Sequence, residues 1–151
     1  MDLTDYGRRL YERIQEAFDY DYEIVGVGEH WQPEAGMCHD NAATLSELDP
    51  TYRAVRGWLV CDYGANIGFI SHSIVQDNDG RYIDLTPPKT ILPWKYPFLT
   101  DGGEHYWEVS DYLARQPKQI LNYPAEGRSR EEILRISKKN DLETNRFLYG
   151  R

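Results

Sequence analysis

A cysteine, a histidine and an aspartate stand in that order at positions 38, 72 and 84, each in a stretch whose pattern could aim it at the others. Cys38 lies where the loop Glu29–Gly36 meets a run, Cys38 to Leu48, of helical character. Asp49-Pro50 ends that run, because the residue before a proline is pushed out of the α region. A thiol at a helix N-terminus meets unpaired N–H groups and the positive end of the macrodipole. Both favour the thiolate and so the nucleophile. The competing reading is a buried structural cysteine, since free cysteines pack as small apolar side chains.

His72 sits within Phe69 to Gln76, a β-rich run in which alternation groups Ile70, His72 and Ile74 on one face. It reads either as a core histidine or as a general base for Cys38. Asp84 falls in Arg81 to Leu85, the next β-rich run, and Asp77-Asn78-Asp79-Gly80 separates the two as a hairpin turn. A three-residue loop, Asn78-Asp79-Gly80, pairs Asp77 with Arg81, so 74 faces 84 and 72 faces 86. Asp84 is then diagonal to His72 on one face, roughly 7–8 Å away at the backbone. A carboxylate there can reach the imidazole, fix its tautomer and stabilise the imidazolium. A loop one residue longer or shorter reverses the parity.

An oxyanion needs donors. The Cys38 N–H is one, and the amide of Gln32, six residues earlier, is a second candidate. Asn41, one turn after Cys38, is placed either to line the pocket or to face solvent. His39 adjoins the cysteine but projects elsewhere on a helix, and His30 and His105 have no evident partner. Cys38, His39, His72 and Asp84 are also zinc-ligand types, but no Cys-x-x-Cys or His-x-x-x-His pair accompanies them. The thiol chemistry asks for no metal and no cofactor.

The elements that must position these residues follow from the patterns around them. A first helix is expected from Thr4, as N-cap, to Phe18, burying Tyr6, Leu10, Ile14 and Phe18. Tyr22 to Val27 and Tyr52 to Val60 read as strands, the second interrupted at Gly57. Trp94 to Trp107 reads as an aromatic-rich loop or strand region, and Ser110 to Arg115 as a short helix. Ser129-Arg130-Glu131-Glu132 is a capping box opening a helix with Ile133, Leu134 and Ile136. Consecutive strands after a helix give an α+β class, with the Cys38 helix on a mostly antiparallel sheet. Residues 1–151 read as one domain of ordinary size.

A net charge of -8, with basic residues scattered apart from Arg8-Arg9 and Lys138-Lys139, argues against a nucleic-acid partner. No apolar run has membrane-spanning length, so no membrane partner is expected. The amino-terminal residues carry no secretory pattern. A cytoplasmic setting with reduced thiols is expected, or export by a route without a cleavable signal.

The run Gly36-Met37-Cys38-His39-Asp40-Asn41-Ala42 resembles the Cys-x-x-Asn-Ala opening of a group of small, mostly uncharacterised bacterial and phage proteins. Val55-Arg56-Gly57-Trp58, Ser71-His72-Ser73-Ile74-Val75 and Gly80-Arg81-Tyr82-Ile83-Asp84-Leu85-Thr86 resemble the strands that follow it there. The order Cys, His, Asp-x-Thr is similar to the transglutaminase-like branch of the papain-like superfamily. The likeness covers about Gln32 to Pro87. It implies a papain-like core, a Cys38–His72–Asp84 triad, and an oxyanion role for Gln32. Ile74 stands where those domains commonly carry an aromatic, and Leu85 where a proline often follows the aspartate. The resemblance implies acyl transfer on a protein or peptide amide, by hydrolysis, deamidation or transamidation. The alternative is a non-catalytic binding module that keeps the scaffold.

Overall fold

The computed structural model describes residues 2–88 and 96–124. The capping box at Ser129, the helix expected after it, Trp94 and Lys138-Lys139 lie outside them. Among the described residues three α-helices, α1 (Leu3–Glu12), α2 (Cys38–Leu48) and α3 (Tyr106–Ala114), accompany six strands. These are β1 (Asp21–Tyr22), β2 (Arg53–Asp62), β3 (Asn66–Gln76), β4 (Tyr82–Asp84), β5 (Phe98–Thr100) and β6 (Leu121–Pro124). The sheet order is β1-β4-β3-β2-β5, with β6 also paired to β3. β1 runs parallel to β4, whereas β2–β5, β3–β4 and β3–β6 are antiparallel. The class is α+β, and the Cys38 helix packs on the sheet.

The described residues divide into two compact units, one drawn from 2–19, 57–71 and 96–124, the other from 20–56 and 72–88. β2 and β3 each contribute to both.

In the first unit, α1 buries Tyr6, Leu10 and Tyr11 against Trp58, Val60, Ile67, Phe69 and Leu99, with Tyr106, Val109 and Leu113 of α3 completing the core. Asp2, not Thr4, is the N-cap of α1: its carboxylate accepts from the Thr4 and Asp5 amides. The helix also ends earlier than expected, giving way to a 3₁₀ turn at Ile14–Glu16. Beyond it Phe18 leaves helical geometry to bridge Phe98 on β5, so that backbone pairing outcompetes a further helical turn. β2 runs through Gly57 without a break. A side chain there would collide with the Leu99 carbonyl, so the glycine permits the close β2–β5 approach. Tyr106 and Trp107, expected in a loop or strand, lie in α3, which starts earlier than the Ser110 boundary.

In the second unit, α2 lays Ala42 and Leu45 on Val75, Ile83 and Leu85. Burying the larger of these side chains, Leu45, Val75, Ile83 and Leu85, stabilises by about 1.5–3 kcal/mol each. This apolar contact seats the helix bearing Cys38. The β3–β4 register, Val75↔Ile83 and Gln76↔Tyr82, is that of the three-residue loop. Gly80 adopts φ 84°, which a residue with a Cβ rarely takes, and the Asp77 carboxylate accepts from the Asp79 and Arg81 amides to close the turn. The run expected as a strand to Val27 is shorter: β1 stops at Tyr22, and Val27 instead bridges Trp31.

Candidate active site

Cys38 is the first residue of α2, after Met37 as N-cap. Its sulfur is hydrogen-bonded to the His72 ring and accepts from the Ser73 backbone N–H. His72 Nε2 lies 2.8 Å from Asp84 Oδ2, with the two side chains 14% and 11% exposed. Since Asp84 takes Nε2, the sulfur is left the other ring nitrogen, Nδ1. The second Asp84 oxygen, Oδ1, accepts the Thr86 amide at 3.2 Å. A thiol, an imidazole and a carboxylate are thus joined in series, all within the second unit.

The electrostatics follow from this placement. Burial pushes the Cys38 thiol up, but the hydrogen bond and charge of His72, with the Ser73 amide, outweigh it against a smaller opposing push from Asp84. The net result is a thiol below its ordinary value. Burial alone would lower His72, but the Asp84 carboxylate overrides it by charge and hydrogen bond, helped by Cys38. The imidazolium is held up to about 10. Opposite shifts at touching groups favour the thiolate–imidazolium form.

The other expected residues are placed as follows. The Gln32 amide donates to the Gly28 carbonyl at 3.0 Å and rests against Gly26, so its hydrogen bond serves its own loop. Asn41 neither faces solvent nor offers an amide to the pocket. It is 3% exposed, and its Nδ2 donates to the Glu34 carbonyl at 2.8 Å and to Thr86 Oγ1 at 3.0 Å. Its Oδ1 accepts the Glu34 amide at 3.0 Å. Both side-chain N–H groups are therefore spent. His39 Nδ1 lies 2.5 Å from the hydroxyl of Ser73, the residue whose amide meets the sulfur, and His105 contacts Glu104 and Glu108.

Ser73 and Thr86 are the residues that reading the sequence for reactive groups passes over. Both meet the series through backbone amides, which leave no trace in residue type, and the Thr86 hydroxyl also accepts Asn41. The one available signal was position: each flanks or follows a candidate, Ser73 beside His72 and Thr86 in Asp84-x-Thr86. Among the described residues no group of three or more His, Cys, Asp or Glu side chains is arranged to hold a metal ion, and no helix is long and apolar enough to cross a membrane. No family model, curated protein or solved structure matches the chain.

Proposed function

We propose that the chain is a cysteine-dependent acyl-transfer enzyme acting on an amide, in the manner of transglutaminase-like and papain-like proteins. The observation that carries this reading is the series Cys38–His72–Asp84 at the opening of α2, with the 2.8 Å His72–Asp84 bond at its far end.

The Cys38 thiolate attacks the carbonyl carbon of the amide, forming a C–S bond and an oxyanion. The Cys38 N–H, in the first turn of α2, is the donor this reading assigns to that oxyanion. A second donor from Gln32 requires its amide to leave the Gly28 carbonyl. His72 gives its Nδ1 proton to the departing nitrogen as the C–N bond breaks, leaving a thioester on Cys38. The neutral imidazole then takes a proton from water or an amine, which attacks the thioester and releases the thiolate. Throughout, Asp84 holds the Nε2 proton and the ring orientation. Hydrolysis, deamidation and transamidation share these steps and differ in the leaving and accepting groups. A protein or peptide amide is the substrate class this reading favours.

The test is acyl transfer from p-nitrophenyl acetate, followed by nitrophenolate release and by mass spectrometry of the Cys38 peptide. Turnover with an acetyl adduct on Cys38, both lost in His72→Ala, is expected. Acetylation of Cys38 no faster than in unfolded chain would overturn the enzyme reading in favour of a binding module.

A further inference from the structure

Cys38 and Asp84 lie on different elements, so their relative position needs a link besides the apolar packing of α2. Thr86 is gripped at three points. Its amide donates to Asp84 Oδ1 at 3.2 Å, its carbonyl accepts the Tyr22 hydroxyl at 2.7 Å, and its hydroxyl oxygen accepts Asn41 Nδ2 at 3.0 Å. Asn41 belongs to the helix that Cys38 opens, one turn on. The same amide group holds Glu34, in the loop leading to Cys38, by its backbone N–H and its carbonyl. Thr86 is 7% exposed and Asn41 3%, so the Asn41–Thr86 and Thr86–Asp84 bonds are sheltered from competing water.

We propose that Asn41 and Thr86 are positioning residues. They lock the Asp84 carboxylate and the approach loop to the helix bearing the nucleophile, and so set the strength of the Asp84–His72 bond. The inference rests on the thiol-enzyme reading and deepens it. Neither residue touches the reacting atoms. Asn41 acts on Thr86, Thr86 on Asp84, and Asp84 on His72. Asn41 has a hydrogen-bonding amide to do this, where a surface position in a first turn would need only a polar group. The Thr86 hydroxyl gives Asn41 an acceptor that valine, of the same shape, lacks.

The test follows the rate of Cys38 alkylation by iodoacetamide from pH 4 to pH 10, by peptide mass spectrometry, in the wild type, Thr86→Val and Thr86→Ser. Thr86→Val removes the acceptor without changing the packed volume, and Thr86→Ser restores it. Loosening Asp84 weakens support for the imidazolium and hence for the thiolate. The midpoint should therefore rise by roughly half to one pH unit in Thr86→Val, from the usual worth of one hydrogen bond, and return close to wild type in Thr86→Ser. If Thr86→Val does not fold, Asn41→Leu removes this bond together with both Glu34 bonds and should give a rise at least as large. An unchanged midpoint in folded Thr86→Val, or an equal rise in both Thr86 variants, would overturn the proposal. The parent reading fails in a different way, through a wild-type midpoint at the free-thiol value of about 8.5.

Discussion

Each unit of this protein buries a carboxylate among hydrogen-bond donors, yet the two settings differ chemically. In the first unit Asp101 accepts from the Tyr6 hydroxyl, from Trp58 Nε1 at 3.0 Å and from the Gly103 amide at 2.9 Å. Nearby, the Tyr106 hydroxyl donates to the Gly57 carbonyl, so Ser71 must donate to Tyr106 and Ser110 to Ser71. Burial and the Asp101 charge raise Tyr6, which fixes its proton in place. Every proton there has one stable position. In the second unit Asp84 faces an imidazole that also meets a thiol, and the proton between sulfur and ring has two positions. The two cysteines repeat the contrast. Burial pushes Cys61 up to about 12 against a weak opposing bond from Tyr63, whereas His72 draws Cys38 down. Burial of a polar group does not create reactivity. A partner able to exchange the proton does.

Substitution at the cysteines should break this contrast most sharply. Cys38→Ala should lower acyl transfer from p-nitrophenyl acetate at least about a thousandfold, since it removes the nucleophile itself. Cys61→Ala should leave the rate unchanged and cost on the order of 1 kcal/mol of stability in urea unfolding, as expected for a small core truncation. A rate loss in Cys61→Ala without unfolding would place chemistry in the wrong unit.

The basic partner comes next. His72→Ala should slow acyl transfer by about 10²–10⁴ while the chain stays folded, the usual worth of a general acid–base. Asp101→Ala should do the converse. It orphans the buried Tyr6 and Trp58 donors at roughly 1–3 kcal/mol each, and leaves Cys38 reactivity intact in the folded fraction. Thermal unfolding beside alkylation rates separates the two effects.

These expectations rest on what the sequence made legible. The turn chemistry of Asp77-Asn78-Asp79-Gly80 gave the loop length, and the loop length gave the register that sets Asp84 diagonal to His72. Cys38 was recognisable as a helix start because Asp49-Pro50 marks the other end. Asn41 was harder. Its amide acts on Glu34 and Thr86, seven residues before it and 45 after it, and no local pattern encodes the second contact. The early end of α1 was hidden for the same reason, since it depends on Phe98. Amphipathic spacing continued through Phe18, but a strand partner distant in sequence won the backbone.

The pH dependence sharpens the comparison further. With Cys38 lowered, the thiolate is lost only as pH falls through a value below that of a free thiol. With His72 raised, the general acid is lost as pH rises through about 10. Acyl transfer should therefore follow a bell lying between these limits, measured as kcat/KM across pH. A single rise near 8.5, with no alkaline fall, would mean an unassisted thiol.

The smallest effect is expected at Gln32. Its exposed amide closes a loop on Gly28, so Gln32→Ala should change stability by less than about 1 kcal/mol. A large fall in kcat for that variant, with KM unchanged, would show that the amide swings onto the oxyanion during reaction.

The most direct measurement of the central claim is alkylation of the native, folded wild type by iodoacetamide at pH 6, read separately for the Cys38 and Cys61 peptides. A thiolate held by His72 at a helix N-terminus should label at Cys38 within minutes while Cys61, fully buried, stays unmodified. Equal, slow labelling of both cysteines would contradict the account.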